Sequence, residues 1–316
     1  MAAPSPGPTR GASAPAPVGV TAGAGGAAGT AEANETSEAP ARATAPDTPP
    51  SLGDRALAVI ARRPLLRVTE REVRIGARAF KTVLLTGVAT PLLFLGAMGL
   101  GLGGLIDANS GDVEGLTYLA FVTPGILCAA SLQTAASDCM WPIMGGLKWM
   151  KSYHAAAATP LTPADVYGGY VVWVGCRLAV NATFFVIVAA LLGGISSPWG
   201  VLAIPAAVAG ALAVGAPLAA YSAGRENDVT FPIIFRVLIM PLFLFSGTFF
   251  AVDQLPAAIR PLAWASPLWH AVELARGATT GDIDALAAAG HIAFLVACIT
   301  AGWLWGTRVF TRQLAS

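Results

Sequence analysis

Six long apolar segments constrain this 316-residue chain more than any other feature. A helix of about 20 residues crosses a hydrocarbon core of about 30 Å, and each segment contains at least that many residues. Only 12% of the residues are charged, whereas soluble domains carry about 25% because their surfaces face water. We therefore predict an all-α integral membrane protein with six transmembrane helices. These predicted spans 1 to 6 cover about residues 83–105, 118–137, 166–192, 201–221, 231–252 and 287–309.

The first 52 residues have a different composition from the rest of the chain. Ala, Gly, Pro, Ser and Thr supply 41 of the 52. Such a segment buries too little apolar surface to offset its chain entropy. We predict a disordered, Ala/Pro/Gly-rich cytoplasmic tail over residues 1–52, followed by a transmembrane domain over residues 53–316.

A charged segment, residues 54–81, precedes span 1. Pro64 favours the start of a helix, and arginines then recur at steps of three or four on one face. Leu66, Val73 and Phe80 lie on another face. A helix of this kind is typical of the membrane interface, where arginines meet anionic headgroups of membrane lipids. A solvated linker helix is the alternative, but it leaves the apolar residues unexplained. The predicted basic face consists of Arg63, Arg67, Arg71, Arg74 and Arg78.

The distribution of Lys and Arg predicts the orientation. Eight lie in residues 55–81, none in residues 106–117, and Lys148 and Lys151 lie in the second loop, residues 138–165. Cytoplasmic loops are enriched in Lys and Arg. We therefore predict a multi-pass protein of the cell membrane with both termini and the second and fourth loops in the cytoplasm. A net charge of +1 disfavours nucleic acid as a partner.

The fifth loop, residues 253–286, is too long for a turn and too apolar for a solvated loop. Its prolines divide it, so we predict two short re-entrant helices between spans 5 and 6, at the outer face. His270 and Glu273 stand three residues apart and are expected to share a local hydrogen bond, since two ligands make an incomplete metal site. His291 is expected to be isolated. The candidate residues of the outer segment are Trp264, His270, Glu273 and Arg276.

Sequence motifs for chemistry are missing from the chain. A phosphate-binding loop needs a Gly-Lys dipeptide, and none occurs. We expect no catalytic residue, metal or cofactor on this chain. Arg177 and Asn181 are the main polar residues inside the spans, and Arg177 could either snorkel towards the cytoplasm or pair with Asp138. The energy source is therefore expected to be a partner protein.

The second loop is the best candidate for partner docking. Residues 142–154 combine aromatic residues, methionines and lysines, a composition that suits an interface. A membrane-surface helix with snorkelling lysines is the alternative, and the two are compatible. The candidate residues for coupling to the partner that supplies the energy are Gly145, Lys148, Trp149 and Tyr153.

Further motifs occur along the chain: YH at 153–154, ATPL at 158–161, PLFLFSGTFF at 241–250, DQLP at 253–256, and the segment 261–277. With these motifs the chain resembles permease subunits of ABC-2 type transporters over about residues 60–312. The branch it resembles contains the nodulation-factor (lipooligosaccharide) export permeases and the daunorubicin-type drug-resistance permeases.

This resemblance implies a permease that moves an amphiphile, such as a lipooligosaccharide, a glycolipid or a hydrophobic drug. It also implies a separate cytoplasmic ATPase subunit that binds ATP and Mg²⁺, and a second permease copy, either identical or related. A self-sufficient secondary carrier or channel for a hydrophobic small molecule is the first alternative. The second alternative is a membrane-embedded enzyme or structural protein, although this chain lacks the residue patterns for a nucleophile or a metal site that such an enzyme would need.

Overall fold

The computed structural model describes residues 64–78, 89, 92–97, 101, 103 and 116–315. The predicted tail, Arg63 and most of span 1 lie outside these residues. The regular elements longer than one residue in the described ranges are all helices, which confirms the all-α prediction. Apart from helical residues 92–97 and short 3₁₀ or π turns, they are, in chain order, α1 (Pro64–Arg78), α2 (Tyr118–Met144), α3 (Ser152–Ala157), α4 (Pro163–Leu191), α5 (Ala203–Ala223), α6 (Phe231–Phe245), α7 (Arg260–Trp264), α8 (Pro267–Thr280) and α9 (Ala285–Leu314).

Four helices of the described ranges are long and apolar enough to cross a membrane. They are α2 with a π-helical turn that extends it to Trp149, α4, α5 with the 3₁₀ turn Pro198–Leu202 before it, and α9. They correspond to predicted spans 2, 3, 4 and 6. The two short helices predicted between spans 5 and 6 are also present, as α7 and α8.

Two helices end at other residues than the predicted spans. Span 2 was expected to end at residue 137, whereas helical structure continues to Trp149 and includes Asp138, whose charge is paired inside the protein. Span 5 was expected to reach residue 252, but α6 ends at Phe245, and Gly247 follows in the left-handed conformation with a φ of 78°. The 15 residues of α6 extend roughly 22 Å at 1.5 Å per residue, less than a hydrocarbon core of about 30 Å. The count of six spans therefore stays a prediction.

Helix α5 lies at the centre of the core and packs against α2, α4, α8 and α9. It is rich in Ala and Gly, and small residues let membrane helices approach closely. A Cβ on Gly210 would overlap Ala271 of α8, and a Cβ on Gly302 of α9 would lie 2.5 Å from the Pro217 ring. Most of α9 is exposed, whereas most of α2 is buried. The bundle therefore presents α9 at its surface.

Candidate functional sites

The bundle has two ends, which differ in charge. At one, here called the basic end, the end of α2, the loop after α5 and the end of α9 meet. This end carries Lys148, Lys151, Arg225, Arg308 and Arg312. The opposite end contains the start of α2 and the segment 246–285, in which four of the six charged residues are acidic.

Lys148 joins three elements at the basic end. Its Nζ donates to Glu226 Oε1 at 2.8 Å and to Gln313 Oε1 at 3.3 Å. The ammonium of Lys148 is therefore already engaged within the chain. Part of the role of this predicted docking residue is to hold the end of α2 against the end of α9.

The remaining predicted docking residues divide between surface and core. Trp149 is 62% exposed and the neighbouring Met150 is 72% exposed. Gly145 is buried, and so is Tyr153, whose ring lies 5.7 Å from that of Phe310. Burial raises the pKa of the Tyr153 hydroxyl. Of the four candidates only Trp149 presents a large exposed side chain, and Met150, one of the methionines of the predicted docking segment 142–154, is exposed beside it.

Helix α1 has an additional face that the sequence pattern did not reveal. Arg67, Arg71, Arg74 and Arg78 are all exposed, as a basic face requires. Val68 and Thr69 are buried against α4, where Thr69 Oγ1 donates to the carbonyl of Gly169 at 3.0 Å. A Cβ on that glycine would lie 2.5 Å from Val68 Cβ, so the two helices touch through glycine. Helix α1 is thereby fixed to the bundle.

The contact between α1 and the bundle includes a buried carboxylate. Glu72 accepts from Arg71 Nη1 at 2.5 Å, and its side chain is largely buried. Burial raises the pKa of Glu72, against the smaller opposing effect of the Arg71 charge. The neighbouring pair Arg74 and Glu70 is more exposed and contributes little.

Arg177 in α4 and Asp138 in α2 form an ion pair within the bundle. Arg177 Nη1 lies 2.9 Å from Asp138 Oδ1 and 2.8 Å from Oδ2, and the side chains are 24% and 11% exposed. Tyr170 donates its hydroxyl to the main-chain carbonyl of Asp138 at 2.7 Å. Of the two alternatives for Arg177, the structure contains the pair.

Asn181 lies one turn further along α4 and is buried. Neither atom of its amide has a hydrogen bond to another described residue. The side chain lines a cavity of about 10 Å³ together with Ser131 and Thr134 of α2. That volume is sufficient for about one water molecule, and an unsatisfied buried amide costs about 1–3 kcal/mol. This position therefore suits a single small polar group.

Arg276 connects three elements at the opposite end. Its Nη1 lies 2.9 Å from Glu273 Oε1, and its Nη2 donates to the carbonyl of Gly247 at 2.6 Å. Its guanidinium carbon lies 4.3 Å from the centre of the Phe121 ring. Arg276 thus holds α8 to the start of α2 and to the segment after α6. Trp264 on α7 is half-exposed and takes no part in this cluster.

The expectation for the histidines is wrong. His270 does not bond to Glu273; its Nδ1 lies 2.7 Å from Nδ1 of His291, which was expected to be isolated. One ring donates and the other accepts, so the two rings join α8 to α9. His270 also stacks on Phe294. Among the residues that the structure describes, no group of three or more His, Cys, Asp or Glu side chains could hold a metal ion.

Comparison with known proteins identifies the family. The ABC-2 type transporter family matches residues 56–279. Nodulation protein J of Rhizobium leguminosarum bv. viciae is 28% identical over 252 residues, which cover 79% of this chain and 94% of that protein. Nodulation protein J of Sinorhizobium fredii is 28% identical over 196 residues (62% and 73%), and that of Rhizobium meliloti is 26% identical over 200 residues (63% and 74%). Because the family match over residues 56–279 covers most of the chain, the chain belongs to the ABC-2 type transporter family.

Proposed function

We propose that this chain is the permease subunit of an exporter that moves an amphiphilic substrate across the cell membrane. The carrying observation is the family match over residues 56–279, together with four apolar helices long enough to span a bilayer. The similarity to Nodulation protein J favours a lipooligosaccharide as the substrate. A glycolipid or a hydrophobic drug would suit the same family.

A separate ATPase is proposed to supply the energy and to dock at the basic end. The excess of Lys and Arg supports a cytoplasmic location for this end. Trp149 and Met150 stand out from it, and exposed Trp and Met side chains are enriched at protein interfaces. These two side chains are the proposed contact.

A second permease copy is proposed to cover one face of α2. Gln133 and Ser137 are exposed on this helix, inside a predicted span. Polar side chains in contact with lipid tails are costly, so a partner or a water-filled path must face them. Asp138, which pairs with Arg177 of α4, follows Ser137 on α2, and the transported substrate would pass along this polar side.

Helix α2 is proposed to carry the movement between the two ends. It runs without a break from Tyr118, close to where Arg276 lies over Phe121, to the π-helical turn that ends at Trp149. A displacement of Trp149 by the ATPase would therefore move the opposite end through one packed helix. Transport cycles commonly use such rigid displacements of packed elements.

The docking surface can be tested with the double variant Trp149→Ala/Met150→Ala. We expect the variant to insert and fold but to lose co-purification with the ATPase subunit. Trp199→Ala is a matched control, since Trp199 is 59% exposed and lies in the 3₁₀ turn at the opposite end. Co-purification that remains at the wild-type level in the double variant would move the docking site elsewhere.

The alternative of a secondary carrier predicts a different result. If the chain is an exporter permease, reconstituted permease without ATPase should show no flux of a fluorescent lipooligosaccharide in a proton gradient, whereas permease with ATPase and ATP should transport it. Gradient-driven flux without the ATPase would contradict the proposal.

A further inference from the structure

We propose that the opposite end of the bundle contains a binding site for the hydrocarbon chain and the positively charged headgroup of a cationic amphiphile. The site is a cavity of about 550 Å³ between the start of α5, the second half of α8, the loop that follows α8 and the first three turns of α9. Ligand-binding cavities typically measure about 300–1,000 Å³. The cavity is separate from the ion pair in α2 and α4.

The walls of the cavity suit a hydrocarbon chain. Thirteen of the 17 lining residues are apolar or glycine, and they include Leu202, Pro205, Leu274 and Leu295. Ile292 and Val296 line it from α9, and both are more than half exposed. Because most of α9 lies at the surface of the bundle, the cavity opens sideways, towards the side from which a membrane lipid would enter. Burial of apolar surface then favours occupation by an acyl or alkyl chain.

The charges of the cavity select the headgroup. Its lining contains the carboxylates of Glu273, Asp282 and Asp284 and contains no Lys or Arg. The negative charge of Glu273 is neutralised by its ion pair with Arg276. Asp282 forms no ion pair with any described residue, and Asp284 accepts only the main-chain N–H groups of Leu286 and Ala287, which it caps. Two carboxylates without a cationic partner attract a positive headgroup and repel a negative one.

His291 closes one wall of the cavity. Its Nδ1 is engaged by His270, and that contact holds the ring in place between α8 and α9. One Nδ1 of the pair donates to the other, so this contact fixes the position of the His291 ring in the cavity wall. The ligand class is therefore an amphiphile with a quaternary ammonium or amine headgroup and a single long chain.

The test compares two probes of opposite charge and equal length. Purified permease in nanodiscs of phosphatidylcholine is labelled with a photoreactive hexadecyltrimethylammonium and, separately, with a photoreactive hexadecyl sulfate. We expect the cation to label residues 273–296 at about tenfold lower concentration than the anion. Equal labelling by the two probes would overturn the proposed headgroup selectivity.

Variants separate the two parts of the site. Asp282→Asn/Asp284→Asn removes both charges while retaining the cap of α9, because Asn caps a helix as well as Asp does. It should lower the preference for the cation about tenfold. Ala288→Phe fills the cavity and should abolish labelling by both probes, whereas Leu304→Phe, an exposed position of α9 outside the cavity, should leave labelling unchanged. Labelling that survives Ala288→Phe with wild-type thermal stability would overturn the site.

Two further measurements distinguish the two possible sources of the ligand, a resident membrane lipid and a transported substrate. An amine lipid that co-purifies with the wild type and is lost in Ala288→Phe identifies a resident membrane lipid. Stimulation of the partner ATPase by the cationic probe, also lost in that variant, identifies a transported substrate. Both results support the site; the absence of both, together with no labelling, overturns it. Labelling requires no ATPase, so failure of ATPase coupling alone would contradict only the proposed function.

Discussion

Replacing Arg177 with Ala is expected to destabilise the bundle severely. The change leaves the carboxylate of Asp138, only 11% exposed, without the guanidinium that lies 2.8 Å away. Removal of one partner of a buried pair costs about 3–5 kcal/mol. Since Arg177 itself is 24% exposed, we expect about 3 kcal/mol, which is roughly two orders of magnitude in the folding equilibrium.

Two further variants isolate the charge. Arg177→Lys retains a cation within reach and should cost about 1 kcal/mol, because it loses only the fork geometry of the guanidinium. Asp138→Leu/Arg177→Leu removes both charges and should recover most of the lost stability. The hydroxyl of Tyr170 binds the main-chain carbonyl of residue 138, so this contact survives every variant in the series.

The assay is reversible unfolding of the purified permease in mixed detergent micelles, read by circular dichroism. Arg308→Ala is the control, since Arg308 is exposed near the end of α9 and should change the free energy of unfolding by less than about 0.5 kcal/mol. The reasoning fails if Arg177→Ala costs no more than this control. It also fails if the double leucine variant is as unstable as Arg177→Ala.

Two other measurements test single residues, namely the close packing at Gly306 and the buried carboxylate of Glu72. Gly306→Ala should lower the free energy of unfolding by about 1–3 kcal/mol, because its Cβ would overlap the ring of Tyr167, whereas Gly290→Ala, which meets open space on the same helix, should cost nothing. Glu72 has a pKa raised by burial above its ordinary 4.5, so its contribution to the docking of α1 is present in full below pH 4.5 and is lost as the pH rises through the raised value. Protease resistance of α1 should therefore fall from pH 4.5 to pH 7.5 in the wild type and stay constant in Glu72→Gln; an equal fall in both would contradict the assignment.

Local sequence patterns predicted much of the secondary structure, but few of the contacts between side chains on different helices. The four long helices follow from runs of apolar residues, because length and hydrophobicity are properties of one segment. The end of α6 was missed because the residues after Phe245 remain apolar, while Gly247 turns the chain and Ser246 and Ser266 join across it at 2.8 Å. Hydropathy does not register such a turn.

The candidate sites show the same division. Trp149 was found because an aromatic residue in a charged loop is unusual, yet the burial of Tyr153 four residues later depends on Phe310 at the far end of the chain. The pairing of His270 with His291 was missed because the two lie 21 residues apart on different helices. Neither spacing nor composition reports such a contact.

By itself, the amino-acid sequence determined that this chain is a helical membrane protein, where its long helices lie and which end is basic. These properties depend on residues that are neighbours along the chain. The tertiary structure alone decided that Arg177 pairs with Asp138, 39 residues away, and that Glu273, Asp282 and Asp284 surround one apolar cavity. Such contacts depend on how each helix is rotated and how closely it approaches the next, and the small residues of α5 set that approach only when all helices are packed.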